Sequence, residues 1–214
     1  MLDKWFKDEE KLEQISNEGN YQQYITDYLS DISQLSKLGD SILQLEEEYP
    51  FEIVQSLYPM IFHEDYRALD LMFETVPSLP AMASQYIDET KFSLVGFAMD
   101  LKNYKMLEYL LTKGVDASKY SDDEFSLDSA FYIYRDKTMI DLLLKHNAFV
   151  SSGYLFLEAL VYSEDCFRQC VNVAKTQQYF ADDLNYALAE AKKRNNPHAV
   201  QLLIASGAKE NSDT

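Results

Sequence analysis

Turn residues are scarce in this chain: six Gly and five Pro in 214 positions. A β-sandwich needs such residues at its many turns, so their scarcity argues against one and for helices joined by short connections. Cysteine is nearly absent. Only Cys166 and Cys170 occur, four apart on one face of a predicted helix, where a disulfide does not fit regular helix geometry. No His, Asp or second Cys pair frames them, so they read as small core hydrophobes rather than a metal or redox pair. No run of about 18 apolar residues is present, which excludes a membrane-spanning helix. The N-terminal MLDKWFKDEEKLEQ is interrupted by Asp3, Asp8, Glu9 and Glu10 and lacks the apolar stretch of a signal peptide. The expected setting is cytoplasmic.

Chemistry-bearing motifs are missing as well. The sequence contains no P-loop, dinucleotide-binding glycine pattern, H-E-x-x-H or G-x-S-x-G, so phosphate cradling, zinc hydrolysis and serine-elbow catalysis lack their residues. The three histidines, His63, His146 and His198, lie in or near breaks between helices and are expected to face solvent. Glu46-Glu47-Glu48 reads as a solvated helix face, and Asp182-Asp183, after Phe180-Ala181, as helix N-terminal charges or a cap. No catalytic residue, metal site or cofactor is therefore expected. If an enzyme were hidden here, the irregular stretch 153–185 with Glu158, Glu164 and Asp165 would hold it.

What is abundant is acid. Against 19 Lys and Arg stand 36 Asp and Glu, a formal net charge of −17. Such a field disfavours nucleic acid and anionic lipid and draws in a basic protein partner. The charge is unevenly spread: residues 1–54 carry 13 acids and 4 bases, whereas residues 186–214 carry 3 acids and 4 bases.

The apolar residues, 47% of the chain, repeat a phrase. MLEYLLTKGVDAS at 106–118 and MIDLLLKHNAFVS at 139–151 superimpose with a shift of 33, and Ser93-Leu94 anticipates Ser126-Leu127 by the same interval. A third copy carries Leu188, Ala191, Val200, Leu202-Leu203-Ile204 and Gly207. Two weaker copies carry Leu71-Met72-Phe73 and Cys166-Phe167. Units then start near residues 55, 93, 126, 153 and 186. Within each, an apolar segment meets a polar break, such as Lys102-Asn103, Arg135-Asp136, Ser163-Glu164 or Arg194-Asn195, and a second apolar segment follows. Met106, Leu107, Leu110 and Leu111 mark one helical face, so each unit predicts two antiparallel helices. Gly114, Asn147 and Gly207 sit where a helix ends in a left-handed residue, and Ser121-Asp-Asp-Glu124 has the form of a capping box for the next helix.

Residues 1–54 stand outside the repeat. Leu2, Trp5, Phe6, Leu12 and Ile15 suit one helix, Tyr21 to Leu35 a second ending at Gly39, and Ser41 to Tyr49 a third stopped by Pro50. The fold expected is all-α, with a helical N-terminal cap over 1–54 and five degenerate repeats over 55–214.

The repeat resembles the ankyrin family. The likeness rests on Ser93, Val95, Ala98, Asn103, Met106-Leu107, Tyr109-Leu110-Leu111 and Gly114-Val115-Asp116, and on Leu188, Ala191, Leu202-Leu203-Ile204 and Gly207-Ala208. The family's T-P-L-H start is missing, its His slot being filled by Gly96, Ser129 and Ala189, and Pro77 and Phe149 depart from its turn. The resemblance implies a helix-hairpin solenoid that acts as a recognition module.

Function is therefore sought on the surface. Tyr120, Phe149, Tyr154, Tyr179 and Phe180 fall in inter-unit loops, with Asp116, Asp122, Asp123, Asp182 and Asp183 beside them. Aromatics on rigidly held loops give contact area at low entropic cost, and the acids reach toward Lys or Arg. These ten residues are the expected partner-binding set. The expected function is a non-catalytic protein-interaction module, most concretely an acidic immunity or inhibitor protein that occludes a toxin, a nuclease or another basic partner. The alternative is a scaffold or secreted effector that recruits a cellular protein through its repeat surface. The sequence leaves the oligomeric state open.

Overall fold

Each polar break in the sequence is a turn between two helices. The computed structural model describes residues 21–35, 40–85 and 92–209; among them the regular elements are helical and no strand occurs. The chain divides into two compact units, Met1–Asp122 and Asp123–Thr214.

In the first unit run α1 (Tyr21–Leu35), α2 (Asp40–Glu48), α3 (Pro50–Gln55), α4 (Leu57–Phe62), α5 (Tyr66–Thr75), α6 (Leu79–Gln85), α7 (Leu94–Asp100) and α8 (Tyr104–Thr112). Tyr21, Ile25, Tyr28 and Ile32 recur on one face of α1 and are buried, and α1 packs on α5. The two tyrosines carry polar tips into this core and find partners there. Tyr21 donates to Asp65 Oδ2 at 2.8 Å and Tyr28 to Ser56 Oγ at 2.8 Å. Pro50 follows the end of α2 and also opens α3, where its missing N–H is no loss. The helix expected over 2–15 lies outside the described residues, as does the expected end at Gly39.

In the second unit, α9 (Ser126–Ser129) continues into a π-helical turn (Ala130–Tyr134), followed by α10 (Lys137–Lys145), α11 (Tyr154–Tyr162), α12 (Glu164–Ala174), α13 (Phe180–Lys193) and α14 (Pro197–Ala205). Packing is layered. The π turn lies against α11 and α11 against α13, while α10 lies against α12. First helices of successive hairpins thus pack on first helices, and second on second. In the first unit, α4 packs on α7 in the same way.

One local device makes these hairpins. Asp65, Asn103, Asp136, Ser163 and Asn196 each cap the second helix of a pair, accepting the backbone N–H of Ala68, Met106, Met139, Cys166 and Ala199. The side-chain oxygen satisfies a donor that the helix leaves orphaned, which is why Asp, Asn and Ser recur at the breaks. Before four of the caps sits a left-handed residue: Glu64, Lys102, Arg135 and Asn195. The last break therefore turns at Asn195-Asn196, one residue later than the sequence suggested.

The second helices close alike. Gly114, Asn147 and Gly207 have φ of 91°, 61° and 106°. The next residue's N–H, that of Val115, Ala148 and Ala208, donates to the carbonyl of Leu110, Leu143 and Leu203. Those three leucines are fully buried, so equivalent sequence positions occupy equivalent structural ones. The capping box expected at Ser121–Glu124 is not formed. Helix α9 begins at Ser126, and its N-cap is Phe125, which has no side-chain oxygen to offer.

Candidate interaction surface

The loops that follow the second helices are stitched back to the first helices, which buries some of the expected binding residues and leaves others exposed. In the first unit, Ser93 donates its Oγ to Lys119 O at 2.6 Å and its N–H to Tyr120 O at 2.8 Å, while its Oγ also caps α7. Gly96 is required here, because a Cβ would run into the Tyr120 carbonyl. Tyr120 consequently corrects the expectation: it is 5% exposed, with its ring 4.9 Å from that of Phe92, and serves as packing rather than as a contact residue. Asp116 and Asp122 are exposed, and the Asp116 carboxylate accepts the Ser118 N–H at 2.9 Å.

In the second unit, Asp183 binds the Gly153 N–H at 3.1 Å through Oδ1, and Gly153 is again a position where a Cβ would meet backbone, that of Asp183. Burial pushes the Asp183 carboxyl above its ordinary range, against the opposing pull of that hydrogen bond. Asp183 thus ties a loop down, while Asp182 and Asp123 are exposed. Phe149 and Phe180 are half-buried, against Phe125 at 4.9 Å and Phe156 at 6.4 Å. Tyr179 is 61% exposed. Tyr154 is exposed on α11 and meets the Tyr186 ring edge-on at 4.9 Å, with the Arg194 guanidinium 5.8 Å away.

Tyr154 belongs to a larger acidic and aromatic surface built from the first helices of this unit, most of which the sequence did not single out. Tyr132 and Ile133 are 45% and 60% exposed, at the end of the π turn. Burial, and after it the negative charges of Glu158 and Asp128, push the Tyr132 phenol up to about 12, with Arg194 opposing. Around Tyr132 opens a shallow groove of about 320 Å³, lined by Asp123, Glu124, Phe125, Asp128, Tyr132 and Ile133. Asp128 accepts from Ser151 Oγ at 2.7 Å through Oδ1; its Oδ2 is buried with no hydrogen-bond partner. Burial raises the Asp128 carboxyl, despite the Ser151 contact. Among the described residues, no ion pair forms on Asp123, Glu124, Asp128 or Glu158.

The first unit treats its acid differently. Asp70 on α5 is paired with Lys113 Nζ at 2.6 Å and accepts from Tyr109 at 3.0 Å. Lys113 also lies 5.3 Å above the Tyr109 ring. The Lys113 hydrogen bond holds the Asp70 carboxyl below its ordinary range. Elsewhere in this unit, Phe62, Leu101 and Tyr104 are exposed around a groove of about 390 Å³ that also carries Glu64, Lys102 and Lys105.

Two histidines correct the expectation of solvent-facing loops. His63 stacks on Tyr21 at 4.1 Å, and both His63 and His146 have a buried Nε2 without a hydrogen-bond partner. Only His198 is exposed, 3.2 Å from Glu164. Cys166 and Cys170 are buried and unbridged, as expected of core residues; burial pushes Cys166 up to about 11 and raises Cys170 further. Among the described residues, no group of three or more His, Cys, Asp or Glu is placed to hold a metal ion, and no helix is long and apolar enough to cross a membrane. Compared with protein-family models, with curated proteins and with solved structures, the chain matches none of them.

Proposed function

We propose that the chain is a non-catalytic protein-interaction module, an ankyrin-like stack of helix hairpins over 55–214 with a helical cap over 1–54. It acts as an acidic inhibitor of the immunity-protein kind, which binds and occludes a basic protein such as a toxin or nuclease. One observation carries this reading. In the second unit the exposed Tyr132, Ile133 and Tyr154 stand beside Asp123, Glu124, Asp128 and Glu158, on none of which an ion pair forms among the described residues, although Asp141, Glu164 and Glu190 of the same unit are paired. Aromatic anchors within an acid field are what a basic partner needs, for contact area and for steering respectively.

Capture of partners at low and at high salt tests it. The expected result is one stoichiometric basic protein, lost as salt rises, whose activity stops when the complex forms. Capture that is indifferent to salt, or that leaves the partner active, counts against inhibition. A scaffold role is favoured by a different observation: the groove beside Phe62, Leu101 and Tyr104 carries Lys102 and Lys105 and would suit a second partner of another character. Two proteins captured at once, one of them lost on Leu101→Glu, would support that reading.

A further inference from the structure

We propose that the groove at the start of the second unit seats an arginine side chain of the basic partner, its guanidinium lying on the Tyr132 ring and pairing with the carboxylates of Asp123 and Glu124. This rests on the reading of the chain as a binder of basic proteins and names where and how it does so.

The groove opens beside the π turn, which supplies Tyr132 and Ile133 to its wall. At the breaks before Asp65, Asn103 and Asn196, the cap's N–H reaches back five residues, to the carbonyls of Met60, Ala98 and Ala191. At Asp136 it reaches back six, to Ala130 at 3.3 Å. The turn absorbs one extra residue; Phe131 stays buried and the two next residues, Tyr132 and Ile133, are exposed, as Asp100 and Leu101 are after the buried Met99 at the regular break. Such widened turns lack the best backbone geometry and persist where a side chain is re-aimed to a purpose.

Charge selects the occupant. Asp123 and Glu124 are exposed at the rim, and Asp128, one helical turn before Tyr132, lies in the wall with one buried oxygen that no protein group satisfies. A carboxylate oxygen kept out of water without a donor is costly, and the charge of a cation seated in the groove beside it would offset that cost. A bare metal ion is a poor fit, since no metal-binding group occurs among the described residues. Lysine can sit over a ring beside an acid, as Lys113 does on Tyr109, but it offers no planar fork to two carboxylates and no face to stack. Arginine uses both: its planar fork pairs with carboxylates while its face stacks on an exposed tyrosine. The groove is open and shallow, which suits a side chain arriving on a protein surface better than an enclosed small molecule.

The test follows amide shifts of the full chain on titration with a capped diarginine peptide and with its dilysine counterpart. The expected shifts centre on residues 123–135, and the arginine peptide binds about five-fold more tightly than the lysine one. Tyr132→Ala is expected to erase that preference, and the pair Asp123→Asn with Glu124→Gln to weaken both peptides about ten-fold. Asp141→Asn with Glu164→Gln, which removes two acids elsewhere on the same unit, is expected to change neither. Shifts spread evenly over the acidic surface, or equal weakening by the two double variants, would overturn the arginine site while leaving a diffuse acidic binder standing. If the peptides do not bind but a basic partner is captured in a salt-sensitive way, only this site fails. If neither occurs, both readings fail.

Discussion

Asp70 and Asp128 are the same residue placed in hairpins of the same kind, one in each compact unit, and the chain answers them in opposite ways. Asp70 receives Lys113 and the Tyr109 hydroxyl and is held below its ordinary range. Asp128 receives one serine hydroxyl, keeps an oxygen buried and unmatched, and is raised. The scaffold can therefore neutralise an acid internally when stability alone is served. Where it leaves acids unanswered beside exposed tyrosines, the missing cations are available for a partner to supply.

Matched substitutions, one in each unit, put the comparison to work. The largest effects lie in the core: Leu110→Ala and Leu143→Ala remove fully buried side chains at equivalent places, and each is expected to cost about 2–5 kcal/mol in urea unfolding. A much smaller loss in one of them would break the equivalence of the hairpins. Next come the close backbone approaches. Gly96→Ala and Gly153→Ala force a methyl into the Tyr120 and Asp183 backbone, and each should cost about 1–3 kcal/mol by the same measurement. The caps follow: Asn103→Ala and Asp136→Ala orphan a helix N–H and are expected to cost about 0.5–2 kcal/mol each.

The smallest pair is the one in which the units should differ in sign. Asp70 is lowered in the fold, so its contribution is present above the unfolded carboxyl value and fades as pH falls through its own lower value. With the Asp70 side chain 49% exposed, solvent screening limits that contribution to about 1 kcal/mol or less. Asp128 is raised, so the fold holds its proton more tightly than the unfolded chain does. Stability then falls as pH rises from the unfolded value through the raised one, and ionised Asp128 is a net cost above that window. Unfolding measured against pH should therefore show Asp70→Asn less stable than the parent at neutral pH, and Asp128→Asn unchanged or more stable. Loss of stability in both would mean that Asp128 is answered within the fold after all.

Sequence periodicity located the hairpins because their determinants are local. A cap and the N–H it binds are three residues apart, and a left-handed Gly or Asn marks its helix end by itself, so Asn103, Asp136, Gly114, Asn147 and Gly207 were legible. The all-helical character was legible for the same reason. The surface was not, because it depends on partners far along the chain. Tyr120 has the local setting of a loop aromatic, but Ser93 and Phe92, twenty-seven and twenty-eight positions before it, hold it down. The Ser121–Glu124 phrase read as a capping box because its spacing is right, but the helix starts beyond its reach. Nothing in the sequence marks Tyr132, whose turn takes in one residue more than a period of 3.6 anticipates.

The two thiols of α12 offer a native clock. Cys166 and Cys170 are sealed against reagents while the helix is docked, since both are buried and burial disfavours their reactive thiolates. Alkylation can then proceed only during excursions that undock α12, so its rate meters how often this hairpin breathes. A bound partner that clamps the second unit would slow the clock, and the slowing could be read on the native cysteines with no reporter engineered into the chain.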